Sequence, residues 1–244
     1  MNLLEVANLS KAYAGRTVVD GVSFALGQRQ IVGLLGRNGA GKTTSFRMIL
    51  GMVRPDGGSV RFDGSDVTRL PMFKRARLGI GYLSQERSDF RRLTVWQNLM
   101  AILESGRRMT KGERERRAGE MLDRYGLTKV RNSPAGVLSG GERRKLELSR
   151  ALVTDPKLLL LDEPFAGVDP VAKEEIQDEI RRLKGEFGKS VLITDHDAER
   201  TLQVCDTALV IDNGRVLKQG TPREIVADET VRKVYLGHSF AQAL

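Results

Sequence analysis

Apolar residues in this chain follow two rhythms. Short, almost uninterrupted runs at 30–35, 157–162, 190–194 and 206–212 read as strands, with Leu158-Leu159-Leu160-Leu161 apolar on both faces, as in a parallel sheet covered on each side. Between them, segments 42–50, 141–153, 171–185 and 197–203 carry the spacing of helices. That alternation predicts a parallel sheet layered with helices. Ahead of it, residues 3–9, 16–26 and 59–62 read as strands separated by Gly27-Gln28, Asp56-Gly57-Gly58 and Asp63-Gly64 turns. They predict a mainly antiparallel layer beside the main sheet. Ile80 to Ser84 is a further short strand, ending at Gln85.

From about residue 87 to 150 the pattern turns helical. Val95, Leu99, Ile102 and Leu103 share one helical face behind Thr94 as N-cap, and Thr110-Lys111-Gly112-Glu113 opens a charged helix that Gly126 stops. Asn213-Gly214 marks a hairpin, and Thr221-Pro222-Arg223-Glu224 starts a last helix with proline at its first position. There is no internal repeat and no low-complexity linker. A single domain over 1–244 is expected, with a helical subdomain at about 87–150 and a tail at about 222–244.

Composition narrows the class. Of 244 residues, 40% are hydrophobic, enough for a full core. Cys205 is the one cysteine, so no intrachain disulfide is possible and a reducing compartment is expected. Met1-Asn-Leu-Leu-Glu has neither the basic region nor the apolar stretch of a signal peptide, and no apolar run reaches the roughly 18 residues of a membrane span. A cytoplasmic protein that serves any membrane from the water side is expected. The net charge of +9 sits in the middle third, where residues 71–150 hold 19 Lys and Arg against 9 Asp and Glu. A solvated helical face, anionic headgroups, an acidic partner or nucleic acid could each use such a surface. Phe73, Tyr82, Phe90, Trp96 and Tyr125 are too sparse there for a platform that stacks single strands, and no nucleic-acid partner is expected.

Gly36-Arg37-Asn38-Gly39-Ala40-Gly41-Lys42-Thr43 fits the G-x-x-x-x-G-K-[ST] P-loop, followed by Thr44 in the helix. Its glycines let backbone N–H groups turn inward onto phosphate oxygens, at the positive end of the helix that begins there. Lys42 would reach the β- and γ-phosphates and the Thr43 hydroxyl would ligate Mg²⁺, so a nucleoside triphosphate is expected. Asp162 and Glu163 follow a buried strand and so arrive at the carboxyl edge of the sheet, where ligands of open α/β sheets bind. Asp162 suits a supporting role at Mg²⁺, and Glu163 suits the base that polarises attacking water. His196 ends the strand Val191-Leu192-Ile193-Thr194 after Asp195 and reaches the same edge. Ser139-Gly140-Gly141-Glu142 is a capping box whose two glycines expose N–H groups to a γ-phosphate, although spacing alone does not say which phosphate it meets. His238, in the tail, has no assigned role.

Together these segments resemble the ATP-binding-cassette ATPases over almost the whole length: the P-loop, a Q-loop at Gln85, the Leu138-Ser-Gly-Gly-Glu142 signature, Asp162-Glu163, a D-loop at Ala166-Gly167-Val168-Asp169 and a switch histidine at His196. The resemblance implies an α/β P-loop NTPase with an antiparallel β subdomain and an inserted α-helical subdomain, using ATP and Mg²⁺. It further implies a head-to-tail homodimer in which Ser139, Gly140 and Gly141 clasp the ATP held by the other copy's P-loop. Tyr13 would stack on adenine, and Gln85 would sense the γ-phosphate and Mg²⁺.

A finer resemblance, through Gly79-Ile-Gly-Tyr-Leu83, Phe90-Arg91-Arg92-Leu93, Asn98-Leu-Met-Ala101 and Val234-Tyr-Leu-Gly237, is to the lipopolysaccharide-export members of that family. It implies two integral-membrane subunits docked near Phe90, Arg91 and Arg92, a tail that supports the dimer, and a peripheral position on the inner face of the cytoplasmic membrane. Arg37 and Ser84 stand where proline is expected, and Asp89 where an apolar residue is expected. Two alternatives stay open: a branched-chain amino-acid importer ATPase, and a soluble non-transport ATPase of the same family.

Overall fold

A computed structural model describes residues 2–86, 88–106, 109–237 and 240; His238 lies outside them. In chain order the first elements are β1 (Asn2–Tyr13), β2 (Arg16–Gly27), β3 (Ile31–Leu35), α1 (Lys42–Leu50), β4 (Gly57–Phe62), β5 (Ser65–Asp66), α2 (Met72–Leu78) and β6 (Ile80–Leu83). The helical segment holds α3 (Val95–Ser105), α4 (Lys111–Arg124) and α5 (Gly140–Leu152). Then come β7 (Leu158–Asp162), α6 (Pro170–Gly185), β8 (Ser190–Thr194), α7 (Ala198–Leu202), β9 (Thr207–Asp212), β10 (Arg215–Gly220), α8 (Pro222–Ala227) and α9 (Glu229–Val231), which runs into a π-helical turn at Arg232–Leu236.

Six strands form the main sheet in the order β10-β9-β3-β8-β7-β6, and β2-β1-β4-β5 form a separate antiparallel sheet. The expected parallel sheet and the expected Asn213-Gly214 hairpin are both present. Strands β9, β3, β8, β7 and β6 are parallel neighbours, whereas β10 returns antiparallel along β9 from the Asn213-Gly214 turn. Such a two-residue hairpin can connect only antiparallel strands.

Period-two alternation splits the core. Val32, Leu34, Leu158 and Leu160 face the antiparallel sheet and α1, whereas Ile31, Leu35, Leu159 and Leu161 face the helical segment. Both sets are almost fully buried, which is why these strands read as continuous apolar runs. The predicted boxes at Thr110, Ser139 and Thr221 all close, each pairing its cap residue with the side chain three residues on, and the predicted N-cap Thr94 forms a box with Gln97 as well. Each is expected to contribute about 1 kcal/mol.

Helix α2 was not foreseen, because its one wholly buried side chain is a charged one. The Arg75 guanidinium donates to the carbonyls of Met48 and Ile49 at the end of α1 and to those of Leu70 and Thr68. Burial lowers its pKa to about 10, yet it stays charged and neutralises the negative end of α1. Arg75→Leu should strand these carbonyls and destabilise the fold by about 2–4 kcal/mol. Urea unfolding that moves the midpoint little would show that the cage is dispensable.

Candidate functional site

The phosphate loop is shaped by chain from distant parts of the sequence. Gly36 has φ 145°, and a Cβ there would lie 2.1 Å from the Ile211 carbonyl oxygen. Gly41 has φ 104°, and its Cβ would lie 2.6 Å from the Val18 carbonyl oxygen. The Asn213-Gly214 turn locks the loop in place: the Gly214 amide donates to the Ala40 carbonyl, and the Asp20 amide donates to that of Gly214. Gly36, Ala40 and Gly41 are therefore buried, while Arg37, Asn38, Gly39 and Thr43 face solvent and Thr44 is half-buried. Lys42 is only 6% exposed, and its ammonium donates to the carbonyls of Gly36 (2.5 Å) and Arg37 (3.1 Å). Burial lowers its pKa, opposed by the nearby charges of Glu163 and Asp195. That opposition places the lysine in the field of the acidic edge.

Strand order does the rest. Because β8 lies between β3 and β7, the ends of all three meet around the loop. Glu163 turns out of β7 in the left-handed region (φ 48°), its amide donating to the Thr194 carbonyl at 2.7 Å. A non-glycine residue there holds backbone strain of order 1–3 kcal/mol, which the surroundings must enforce. The Gln85 amide donates to Glu163 Oε2 at 2.8 Å, and His196 Nδ1 lies 3.6 Å from the same oxygen. Asp195 is fully buried, and its carboxylate accepts from the amides of Phe165 and Asp197, tying the turn after β7 to the turn after β8. Burial raises its pKa against these bonds. Burial also raises that of Asp162, where the Tyr82 hydroxyl, 3.3 Å away, opposes the shift and Glu163 adds to it.

Gln85, Asp162, Glu163 and His196 thus gather at the edge beside Lys42. The sequence assigns no site role to Tyr82 or Asp195, and no contact between the Asn213-Gly214 turn and the loop. The only signal for Asp195 was its position between a buried strand and His196. For the turn, the glycine pattern indicated a hairpin but not its contact with the loop. Asp169, in the expected D-loop, caps α6 by accepting from the Ala172 amide.

Three expected groups stand elsewhere. Ser139, Gly140 and Gly141 are exposed at the start of α5, and among the described residues the Ser139 side chain bonds only with Glu142. A phosphate from another molecule could meet this free helix end. Tyr13 is 47% exposed at the β1–β2 turn, opposite Arg16, which is two residues short of Val18, whose carbonyl lies against Gly41. Phe90 is 46% exposed and stacks on the Arg150 guanidinium at 4.5 Å. Buried Asn98 holds the chain there, accepting from the Phe90 amide and donating to the carbonyls of Phe90, Leu93 and Thr94.

The donor set suits a nucleotide with a hard cation. Thr43 and Asp162 offer oxygen ligands, and among the described residues no cluster of three or more His, Cys, Asp or Glu could hold a metal alone. Mg²⁺ fits such a site, since it takes most of its ligands from phosphates and water.

Comparison with known proteins agrees with this geometry. A family model described as "ABC transporter" matches residues 19–166, and one described as "Branched-chain amino acid ATP-binding cassette transporter" matches 215–241. The lipopolysaccharide export system ATP-binding protein LptB of Escherichia coli K12 is 49% identical over 98% of this chain and 99% of its own length. LptB of Haemophilus influenzae is 48% identical with the same coverage. A crystal structure of an ATP-binding cassette of an ABC transporter in its ADP conformation superposes with a TM-score of 0.86 at 27% identity, covering 98% of this chain and all of that one.

Proposed function

The chain belongs to the ABC transporter ATPase family, and we propose that within it this protein powers the extraction of lipopolysaccharide from the inner membrane for export. It is the ATP-binding, ATP-hydrolysing subunit of a transporter. The observation that carries the export assignment is near-half identity, end to end, with the two LptB proteins. No helix among the described residues is long and apolar enough to cross a membrane. In this reading the transport path belongs to membrane subunits, and the chain sits peripherally on them at the cytoplasmic face.

In the proposed site, the loop from Gly36 to Thr44 with Lys42 holds the phosphates, and Tyr13 stacks on the adenine. Thr43, Asp162 and Gln85 hold Mg²⁺, which offsets phosphate charge when bound. Glu163 takes the proton of the attacking water, His196 orients the carboxylate it faces, and Gln85 leaves that carboxylate to sense the γ-phosphate. Ser139, Gly140 and Gly141 of a second, head-to-tail copy close over the γ-phosphate. Two membrane subunits dock near Phe90, Arg91 and Arg92. ATP favours the closed pair and its hydrolysis removes that preference, so closure can pull on the docked subunits.

The test is reconstitution in vesicles with the membrane subunits from the same genome. ATP-dependent removal of lipopolysaccharide from the bilayer is expected. Phe90→Ala should release the chain from the complex, with affinity for ATP within about twofold of the parent's. The match of residues 215–241 to the amino-acid importer model favours one other reading. Leucine uptake without lipopolysaccharide movement would establish it and overturn export.

A further inference from the structure

Asp89, which stands where an apolar residue is expected, carries an unsatisfied charge. The residue is 9% exposed, and neither carboxylate oxygen reaches solvent or a hydrogen-bond partner among the described residues. A buried carboxylate left this way strains the loop that holds it. Facing it from α5 are Arg150 and Glu147, each within its electrostatic reach. Arg150 is committed elsewhere: it donates to the side chain and carbonyl of Asn98 and to the Ser88 carbonyl. Its Nε is itself buried without a partner. An unmet acceptor on the loop therefore faces an unmet donor on the helix.

We propose that Asp89 is a positioning residue that carries the state of the Gln85 loop to the signature helix, by binding the Arg150 guanidinium when the loop shifts. The inference rests on the roles given above to Gln85 and to Ser139–Gly141. Gln85 is bound to Glu163, and Asp89 follows it by only four residues, so a span of at most about 14 Å links the acidic edge to α5. Arg150 lies on the same rigid helix as Gly140, about 15 Å along its axis. The loop has two arrangements to choose between. In one, Arg150 serves Asn98 and Ser88 while Asp89 is unpaired; in the other, Asp89 takes Arg150 and moves α5 with it. Withdrawal of Gln85 from Glu163 toward a bound γ-phosphate favours the second. A two-state element biased at both ends is the physical requirement for such coupling.

Stability and turnover should separate. In the full-length chain, Asp89→Leu removes an unpaired buried charge and should raise Tm by about 2–4 °C. It should also lower kcat about fivefold or more, with KM for ATP within about twofold. Asp89→Asn, which keeps the shape, should lower kcat similarly. Arg150→Lys should slow turnover too, and combined with Asp89→Leu it should be no slower than the slower single variant, as expected of one shared step. Unchanged kcat in both Asp89 variants, or losses that multiply in the double variant, would overturn the inference alone. Glu163→Gln, run alongside, separates the two failures: if it turns over normally, the site assignment falls and this inference with it.

Discussion

Replacing Glu163 by glutamine should leave ATP bound and hydrolysis nearly absent. The exchange keeps the side chain's size and its partners, since an amide oxygen can still accept from Gln85 as Oε2 does at 2.8 Å. What it removes is the ability to take a proton from water, a loss of about 10²–10⁴-fold in kcat for a general base. It also removes a negative charge whose field reaches Lys42, so phosphate affinity should hold or rise. The variant should therefore accumulate as an ATP-bound dimer, visible by size-exclusion chromatography with Mg-ATP. Turnover within a few-fold of the parent would transfer the base role to another group.

Mixing two inactive variants should restore activity. Lys42→Ala removes the buried ammonium that lies against Gly36 and Arg37 and should abolish tight ATP binding. A bulky change at exposed Ser139, such as Ser139→Tyr, blocks the free start of α5 without disturbing a core. If each site joins one P-loop to the other copy's signature segment, neither homodimer has a working site. The heterodimer has one of two, and random mixing should restore about a quarter of parental activity. No restoration, with heterodimers demonstrated by differential tags, would place the signature segment against its own subunit's nucleotide.

What local chemistry controls was legible beforehand. The boxes at Thr110, Ser139 and Thr221 and the cap at Thr94 closed because each bond spans three residues. The phosphate loop announced itself because its glycines and Lys42 are adjacent in sequence. Helix α2 escaped because Arg75, a buried charge on a short helix, masks the apolar rhythm. The antiparallel return of β10 was legible too, because Asn213-Gly214 is a local hairpin signal.

Most strands and helices, the chemical groups that end each strand and the family those groups indicate can be read from the chain directly. These depend on periodicity and on motifs within a few residues. Folding was needed to bring Gln85 to Glu163 across 78 residues and Tyr82 to Asp162 across 80, and to close the Ile211 carbonyl on Gly36. Those meetings follow from the order β9-β3-β8-β7-β6. An apolar run such as Leu158–Leu161 would be equally buried in any inner slot of the sheet. Its hydrophobic free energy is non-directional and does not distinguish one neighbour from another. The slot is chosen by the packing of the whole chain, and with it the positive φ of Glu163 and the unpaired charge of Asp89.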